Sequence, residues 1–248
     1  MSPAPGWRAT AGSVLLASRP VSWINTAYPF AAAYLLTGPV QWWLLVVGTV
    51  YFLVPYNLLM YGINDVFDYE SDLRNPRKGG IQGAKLDRSV HRATLVAAVV
   101  SNVPFLAVLF AAGGATSNLA LAVTVAAVLA YSVPVLRFKE RPVLDSATSA
   151  THFVGPAVVG VLLGGTDTGP GVVAALAAFF CWGMASHALG AVQDIAADRQ
   201  AGIGSIAAHF GARWTIRAVF AGYTAAAVLL LLTVWPGVLA AVLVVPYL

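Results

Sequence analysis

Long uninterrupted apolar stretches, separated by short polar segments, dominate the sequence. Each stretch approaches the ~20 residues that a helix needs to cross the hydrocarbon core of a bilayer. None of them shows the two-residue alternation of barrel strands, so the pattern predicts transmembrane α-helices. The predicted spans are Val21–Leu36, Trp42–Asn64, Ala93–Ala112, Leu119–Leu136, Val143–Leu163, Val172–Gln193 and Ile216–Val234.

The last part of the sequence adds an incomplete helix. An eighth apolar run begins near Val238, and the sequence stops inside it at Leu248. The predicted fold class is therefore all-α, a polytopic transmembrane helix bundle with seven complete helices and a partial eighth. We expect residues 1–248 to form one transmembrane domain, and residues 1–19 show no pattern of a cleavable signal peptide.

The composition supports a membrane protein. Hydrophobic residues make up 59% of the 248 residues, and charged residues only 10%. A soluble chain carries roughly 25% charged residues, since much of its surface must face water. The same numbers exclude a disordered chain. Cys181 is the single cysteine, so no internal disulfide can form.

The positive charges predict how the bundle is oriented. Of the 14 Lys and Arg residues, 13 lie before the first predicted span or in every second loop after it, and Arg217 lies at the edge of the last of these loops. Because cytoplasmic loops are rich in Lys and Arg, the N-terminus and these loops are predicted to be cytoplasmic. Segments 64–92, 137–142 and 194–215 would then form a cytoplasmic cap on a multi-pass protein of the cell membrane, with the active site facing the cytoplasm.

The first acidic cluster lies at the end of the second predicted span. Asn64, Asp68 and Asp72 are spaced four residues apart, so in a continuous helix they share one face. Carboxylates at this spacing repel each other unless a cation neutralises them. Hard oxygen ligands favour Mg²⁺ or Mn²⁺ over zinc. Asp65 points about 100° away from Asn64 and ranks below the other three.

Asp194 and Asp198 form a second acidic cluster with the same spacing at the end of the sixth predicted span. Both clusters lie on the same predicted side and could hold metal ions around a diphosphate. The basic residues that we expect to bind this diphosphate are Arg77, Lys78, Arg137, Lys139 and Arg199. Two plainer interpretations remain open: solvated acidic helix ends, and basic residues that only set the topology.

Polar side chains also occur inside the predicted spans. Asn25, His152 and His187 are intramembrane, and such residues usually face a cavity or a hydrogen-bonding partner. Tyr131 ends the fourth span, where it could contact the diphosphate, face a cation or act as an interfacial belt residue. The sequence contains no Gly-rich nucleotide-binding loop, no cluster of thiols or histidines for zinc or haem, and no nucleic-acid-binding module.

The paired acidic motifs resemble those of the UbiA superfamily of intramembrane prenyltransferases. The strings are Asn64-Asp65-x-x-Asp68-x-x-x-Asp72 and, later in the chain, Asp194-x-x-x-Asp198. Tyr131-Ser132 followed by Arg137 and Lys139 is similar to that family's tyrosine and basic segment. The resemblance runs from about Arg19 to Arg213 and implies a bundle of nine transmembrane helices around a central cavity.

The resemblance also implies an activity: Mg²⁺-dependent transfer of an isoprenyl group from its diphosphate to a lipophilic acceptor. It implies that the metal ligands are Asn64, Asp68, Asp72, Asp194 and Asp198. We expect catalytic roles for Asp68, Asp194 and Tyr131. We expect substrate binding by a set that also includes the basic residues and two of the intramembrane polar residues named above. Its members are Asn64, Arg77, Lys78, Arg137, Lys139, Arg199, Asn25 and His187.

Within the superfamily, the motifs are most similar to those of lycopene elongases of fifty-carbon carotenoid synthesis. The similar segments are Phe67–Asp72, Asn75–Ala84, His187–Asp194 and Asp198–Ile203. The similarity implies dimethylallyl diphosphate as donor, lycopene as acceptor, and an elongated end group with or without added water. A carotenoid cyclase is a further candidate partner, although none of these residues points to it.

Two alternative functions remain open from the sequence. The same chemistry could use an aromatic quinone precursor or a tetrapyrrole as acceptor. The acidic clusters could instead form the cation site of a membrane transporter. Because nine helices are expected of the superfamily, we also expect either a missing C-terminal part or a variant with eight helices.

Overall fold

A computed structural model of the chain describes residues 6–74, 86–165 and 168–247, without the side chains of Ser71 and Arg74. These ranges contain helices and no β-strand, which confirms the all-α class. The α-helices are α1 (Trp7–Ala17), α2 (Ile24–Thr37), α3 (Trp42–Phe67), α4 (Tyr69–Arg74), α5 (Arg88–Ala112), α6 (Ala115–Ser132), α7 (Leu144–Leu163), α8 (Pro170–Ala201), α9 (Ile206–Phe210), α10 (Ala212–Leu231) and α11 (Gly237–Val244). Short 3-10 helices cover Pro20–Ser22, Phe138–Glu140 and Val245–Tyr247.

Within the described residues, 6 helices are long and apolar enough to cross a membrane: α3, α5, α6, α7, α8 and α10. The chain is therefore a multi-pass membrane protein. The first predicted span corresponds to α2, which has 14 residues and packs against α3 and α7. The predicted partial helix corresponds to α11, which has 8 residues. No predicted span corresponds to α1.

Two helix ends differ from their predicted positions for local reasons. α6 ends at Ser132 rather than Leu136, because Val133 precedes Pro134 and is therefore driven to an extended backbone. α8 continues past the predicted end at Gln193 to Ala201 and stops at Gly202, whose φ of 70° few other residues adopt. The second acidic cluster consequently lies on a regular helix.

The second span, α3, is interrupted where Pro55 enters it, and a π-helical segment follows at Leu58–Gly62. Fully buried Asn57 donates a hydrogen bond to the carbonyl of Phe52 at 2.8 Å. Asn102 of α5 donates to the carbonyl of Pro55 at 2.7 Å. Carbonyl groups released by a break in a membrane helix must find partners inside the protein. These two amides therefore stabilise the bend that precedes the first acidic motif.

Glycines let neighbouring helices approach closely around this bend. A Cβ at Gly160 of α7 would lie 2.5 Å from the carbonyl oxygen of Phe30 in α2. A Cβ at Gly155 would lie 2.5 Å from the hydroxyl of Thr124 in α6. A Cβ at Gly48 would collide with the ring of Phe30. Close contacts of this kind hold α2, α3, α6 and α7 together and fix the walls of the space between them.

Candidate active site

An open cavity of about 1000 Å³ lies between α3, α6, α7 and α8, at the end of the bundle that carries the acidic motifs. All five side chains predicted as metal ligands line it: Asn64, Asp68, Asp72, Asp194 and Asp198. Arg137 and Lys139 line its mouth. The wall also includes the polar or aromatic residues Tyr61, Tyr131, Ser149, His152, Phe153, Ser186 and His187. The structure thus brings both motifs and the basic loop to one space.

The first acidic motif keeps its four-residue register although the helix is not continuous. Asp68 caps the last turn of α3 with a φ of −97° and a ψ of 1°, and α4 begins after it. The amide of Asp68 still donates to the Asn64 carbonyl at 2.9 Å, and the amide of Asp72 donates to the Asp68 carbonyl at 2.8 Å. The three side chains therefore stay on the cavity side.

Asp65 is directed elsewhere. Its side chain is fully buried, is absent from the described wall of the cavity, and lies 2.8 Å from Nη2 of Arg19. The Arg19 guanidinium also lies 4.2 Å from the centre of the Tyr61 ring and borders the cavity. The sequence offered no signal for this role, because Arg19 looked like an ordinary topology-setting charge.

The basic loop after α6 contacts the first motif directly. Nζ of Lys139 is in close contact with Asp68 and lies 3.4 Å from Oδ1 of Asn64. Nη2 of Arg137 lies 3.7 Å from Asp68 and also bonds Glu140. Burial lowers the pKa of the Lys139 ammonium from its usual value, although Asp68 acts in the opposite direction. The hydrogen bond to Glu140 raises the pKa of Arg137.

Arg19 and Arg137 share an unusual backbone conformation. Their φ angles are 51° and 41°, in the left-handed region that residues other than glycine rarely adopt. Such backbones persist only where the surrounding structure enforces them, and they are common at functional sites. Both residues border the cavity. Among the described residues, two of the three non-glycine residues with a positive φ are therefore cations at the cavity; the third, Val143, is absent from the described wall.

The second motif lies on the opposite wall. Asp194 and Asp198 face the cavity from α8, and Asp198 accepts a hydrogen bond from Ser205 at 2.5 Å. Arg199, by contrast, donates from Nε and Nη2 to the carbonyl of Ala208 at 3.3 Å each and is absent from the described wall. In this conformation Arg199 supports the segment after α8 rather than the predicted diphosphate site.

The remaining predicted site residues lie outside the cavity or outside the described part of the chain. Asn25 is exposed and does not belong to the described wall, whereas its neighbour Thr26 is buried and donates to the Phe52 carbonyl at 2.6 Å. Arg77 and Lys78 fall outside the described residues. Among the residues described, no three His, Cys, Asp or Glu side chains are grouped as a ready-made metal cage.

A hydrogen-bonded chain runs through the inner wall. Tyr131 Oη lies 3.3 Å from Nε2 of His187, and Ser146 Oγ lies 3.2 Å from Nδ1 of the same imidazole. Fully buried Asp145 accepts from the Ser146 hydroxyl at 3.2 Å and from the Ile206 amide at 2.7 Å. Tyr131 and His187 were predictable from the sequence, but Asp145 was not, because an acid at the start of a helix is an ordinary capping signal.

Sequence comparisons agree with this geometry. The profile described as the UbiA prenyltransferase family matches residues 26–248. A lycopene elongase/hydratase from Corynebacterium glutamicum is 56% identical over 216 residues, which cover 87% of this chain and 75% of that protein. The C(50) beta-cyclic carotenoids biosynthesis protein LbtBC from Dietzia sp. (strain CQ4) is 54% identical over 245 residues, which cover 98% of this chain and 57% of that protein.

The fold also has solved relatives. A UbiA homolog from Archaeoglobus fulgidus bound to DMAPP and Mg²⁺ superposes with a TM-score of 0.78. The match covers 95% of this chain and 84% of the homolog at 20% sequence identity. The same homolog bound to GPP and Mg²⁺ gives a TM-score of 0.76. At this identity the likeness establishes the arrangement of the helices.

Proposed function

Because the chain belongs to the UbiA prenyltransferase family, we propose that it transfers a dimethylallyl group from dimethylallyl diphosphate to the end of lycopene. The observation that carries this proposal is the meeting of both acidic motifs and the Lys139 loop in one cavity. Relatives named lycopene elongase/hydratase support the acceptor. The homolog bound to DMAPP supports the donor.

Mg²⁺ is the metal we propose for this cavity. The five motif side chains offer only carboxylate and amide oxygens, which are the ligands that Mg²⁺ prefers. Mg²⁺ usually keeps several waters and binds through one or two carboxylates together with phosphate oxygens, so a ready-made cage is not required. When bound by Asn64, Asp68, Asp72, Asp194 and Asp198, the metal would neutralise charge on the departing diphosphate.

Residues of the chain would bind the diphosphate and stabilise the positive charge on the allyl group. Lys139 and Arg137, already beside Asp68, would bind diphosphate oxygens, with Arg77 and Lys78 as further predicted ligands. The ring of Tyr131 would face the allylic carbon from the inner wall, where its electron-rich face stabilises developing positive charge. Apolar Met60 and Phe153 on the same wall would limit the access of bulk water to that carbon.

The proposed function also includes a route for the acceptor and an orientation of the cavity in the membrane. Lycopene is a hydrocarbon, so we propose that it enters from the bilayer and presents its terminal double bond to the inner end of the cavity. The distribution of Lys and Arg supports a cavity that opens to the cytoplasm. We further propose that residues 1–248 act as one catalytic domain. A cyclase partner stays a prediction.

A pigment assay tests this function. The chain and its variants Asp68→Asn and Asp198→Asn are expressed in a bacterial host that accumulates lycopene, and the carotenoids are measured by mass spectrometry. The parent chain should extend lycopene by one or two five-carbon units. Each variant should lose about 10²–10³ in rate, as expected for removing one group that stabilises transition-state charge.

Asp87→Asn is the matched control. Asp87 is exposed, lies outside the described cavity wall and caps α5 through the Ser89 amide, a role that Asn also performs. This variant should retain full activity. Full activity of Asp68→Asn and Asp198→Asn would overturn the metal assignment. Prenylation of an aromatic acid with unchanged lycopene would move the acceptor to the aromatic class, and metal-dependent flux without diphosphate consumption would favour a transporter.

A further inference from the structure

One face of α8 leads from the second acidic motif to the interior of the cavity. His187 precedes Asp194 by nearly two helical turns, so both side chains share that face, and both line the cavity. The two positions are about 10 Å apart along the axis at 1.5 Å per residue. Gly190 and Ala191 lie between them on the wall and leave the space open. A short allyl group whose diphosphate lies at Asp194 would therefore have its carbon atoms near His187.

The hydrogen bonds around His187 determine which ring nitrogen carries its proton. The Ser146 hydroxyl donates its single proton to Asp145 at 3.2 Å. Ser146 Oγ must then accept from Nδ1 of His187, 3.2 Å away. Nε2 is consequently the basic nitrogen, and it faces the Tyr131 hydroxyl at 3.3 Å. Through Ser146, the fully buried Asp145 carboxylate fixes the orientation of the His187 ring.

A further polar group lies in the same part of the wall. His152 is buried, and its Nε2 has no hydrogen-bond partner among the described residues. Its ring centre is 5.0 Å from that of Tyr131, in an edge-on arrangement. Buried polar atoms without protein partners are commonly satisfied by water. The inner wall therefore combines a water-binding group with a base, beside apolar Met60 and Phe153.

Several relatives are named lycopene elongase/hydratase, and we propose which residues of this chain serve the hydration step. Tyr131 and His187 take the proton from the added water, and Ser146 and Asp145 position the imidazole; the four residues are here called the His187 cluster. This inference rests on the function proposed above. The terminal double bond of lycopene forms a bond to the allylic carbon while the carbon–oxygen bond to diphosphate breaks. The oxygen of a water molecule then bonds to the tertiary carbocation left on the carotenoid. Its proton passes through the Tyr131 hydroxyl to Nε2 of His187 and finally to solvent, without any oxidation or reduction.

The experiment is carried out in water labelled with oxygen-18. It measures the ratio of hydrated to non-hydrated elongated carotenoids, and the total amount of elongated carotenoid is compared with the diphosphate released. The parent chain should incorporate the label into the hydroxyl group of the product. His187→Gln keeps a hydrogen-bonding side chain but cannot accept the proton, so this ratio should fall about 100-fold, within the usual contribution of a general base. Exposed His209 provides the matched control, and His209→Gln should leave the ratio unchanged.

Ser146→Ala is a second variant, which separates a chemical role from a purely structural one. It leaves the imidazole in the wall but removes the hydroxyl that joins His187 to Asp145. The ratio should fall here too, by a smaller factor. An unchanged ratio in the folded His187→Gln protein, a parent product without hydroxyl, or a hydroxyl without the label would overturn the proposal. Complete absence of elongated carotenoid from the parent chain would refute the proposed transferase function instead.

Discussion

Asp65 and Asp68 belong to one motif but contact different cations. Asp68 faces the cavity beside Lys139, whereas Asp65 is buried against Arg19 on another side of the helix end. A helix turns about 100° per residue, so positions three apart differ by only about 60°. Asp68 also leaves the helical backbone, with a φ of −97° and a ψ of 1°. Asp65 therefore has a structural role, because it ties the segment before α2 to the end of α3, whereas Asp68 lines the cavity.

Removing the Asp65 charge should destabilise the protein. Breaking a fully buried ion pair costs about 3–5 kcal/mol, and we expect somewhat less here because the Arg19 side chain is 19% exposed. Asp65→Asn should therefore unfold at a lower temperature in detergent, measured by intrinsic fluorescence. Asp87→Asn, at an exposed position that caps α5, should unfold near the parent temperature.

The double variant Arg19→Gln/Asp65→Asn distinguishes an ion pair from a general packing effect. It removes both charges, so it should recover part of the stability lost in Asp65→Asn. If the double variant is as unstable as the sum of both single variants, the two side chains do not depend on each other.

Single residues also show what the sequence could predict about the site. Spacing identified the five motif side chains, because a four-residue repeat places groups on one helix face whatever the tertiary structure. It could not find Asp145, whose partner Ile206 comes from a distant part of the chain. Asn25 was chosen for its polarity alone, yet a rotation of one residue puts Thr26 inside and Asn25 outside.

At the scale of elements, α3 shows why a hydropathy pattern is incomplete. The pattern from Trp42 onward predicts one uninterrupted span, and by composition it is one. The bend at Pro55 depends on Asn57 and Asn102, which satisfy the carbonyl groups around it. Asn102 belongs to another helix, so the sequence of α3 alone cannot reveal how the bend is stabilised.

The contact between α2 and α7 yields an element-scale prediction. Gly160→Val would place a Cβ 2.5 Å from the backbone oxygen of Phe30, so the two helices would have to separate. Overpacking of this kind costs about 1–3 kcal/mol or more, and the unfolding temperature in detergent should fall by several degrees. Gly171→Ala in α8 is the control, because no atom lies within 4 Å of its added Cβ. Equal unfolding temperatures for both variants would contradict the close approach.

For the whole molecule, the charges predict an orientation that can be measured. α6 separates Gly114 from Arg141, and both residues are exposed. In a Cys181→Ala background, a membrane-impermeant maleimide should label Gly114→Cys in intact cells. It should label Arg141→Cys only after permeabilisation, because the loops rich in Lys and Arg are predicted to be cytoplasmic.

The same pair of positions also tests the placement of the cavity. Arg141 follows the loop that contains Arg137 and Lys139, so its side of the membrane is that of the cavity mouth. Labelling of both positions from outside would contradict α6 as a span. Labelling of Arg141→Cys alone from outside would place the cavity mouth on the external side.

The close approach at Gly160 also limits which sequences this fold can accept during evolution. A side chain there would meet a main-chain oxygen, and no substitution in a neighbouring residue removes a main-chain atom. Accommodating one would require the two helices to separate, so we expect glycine to persist at this position in relatives whose acceptors have diverged. Gly160 could then be as invariant among relatives as the aspartates in the cavity. The cause would be the short distance between two backbones rather than a contact with substrate.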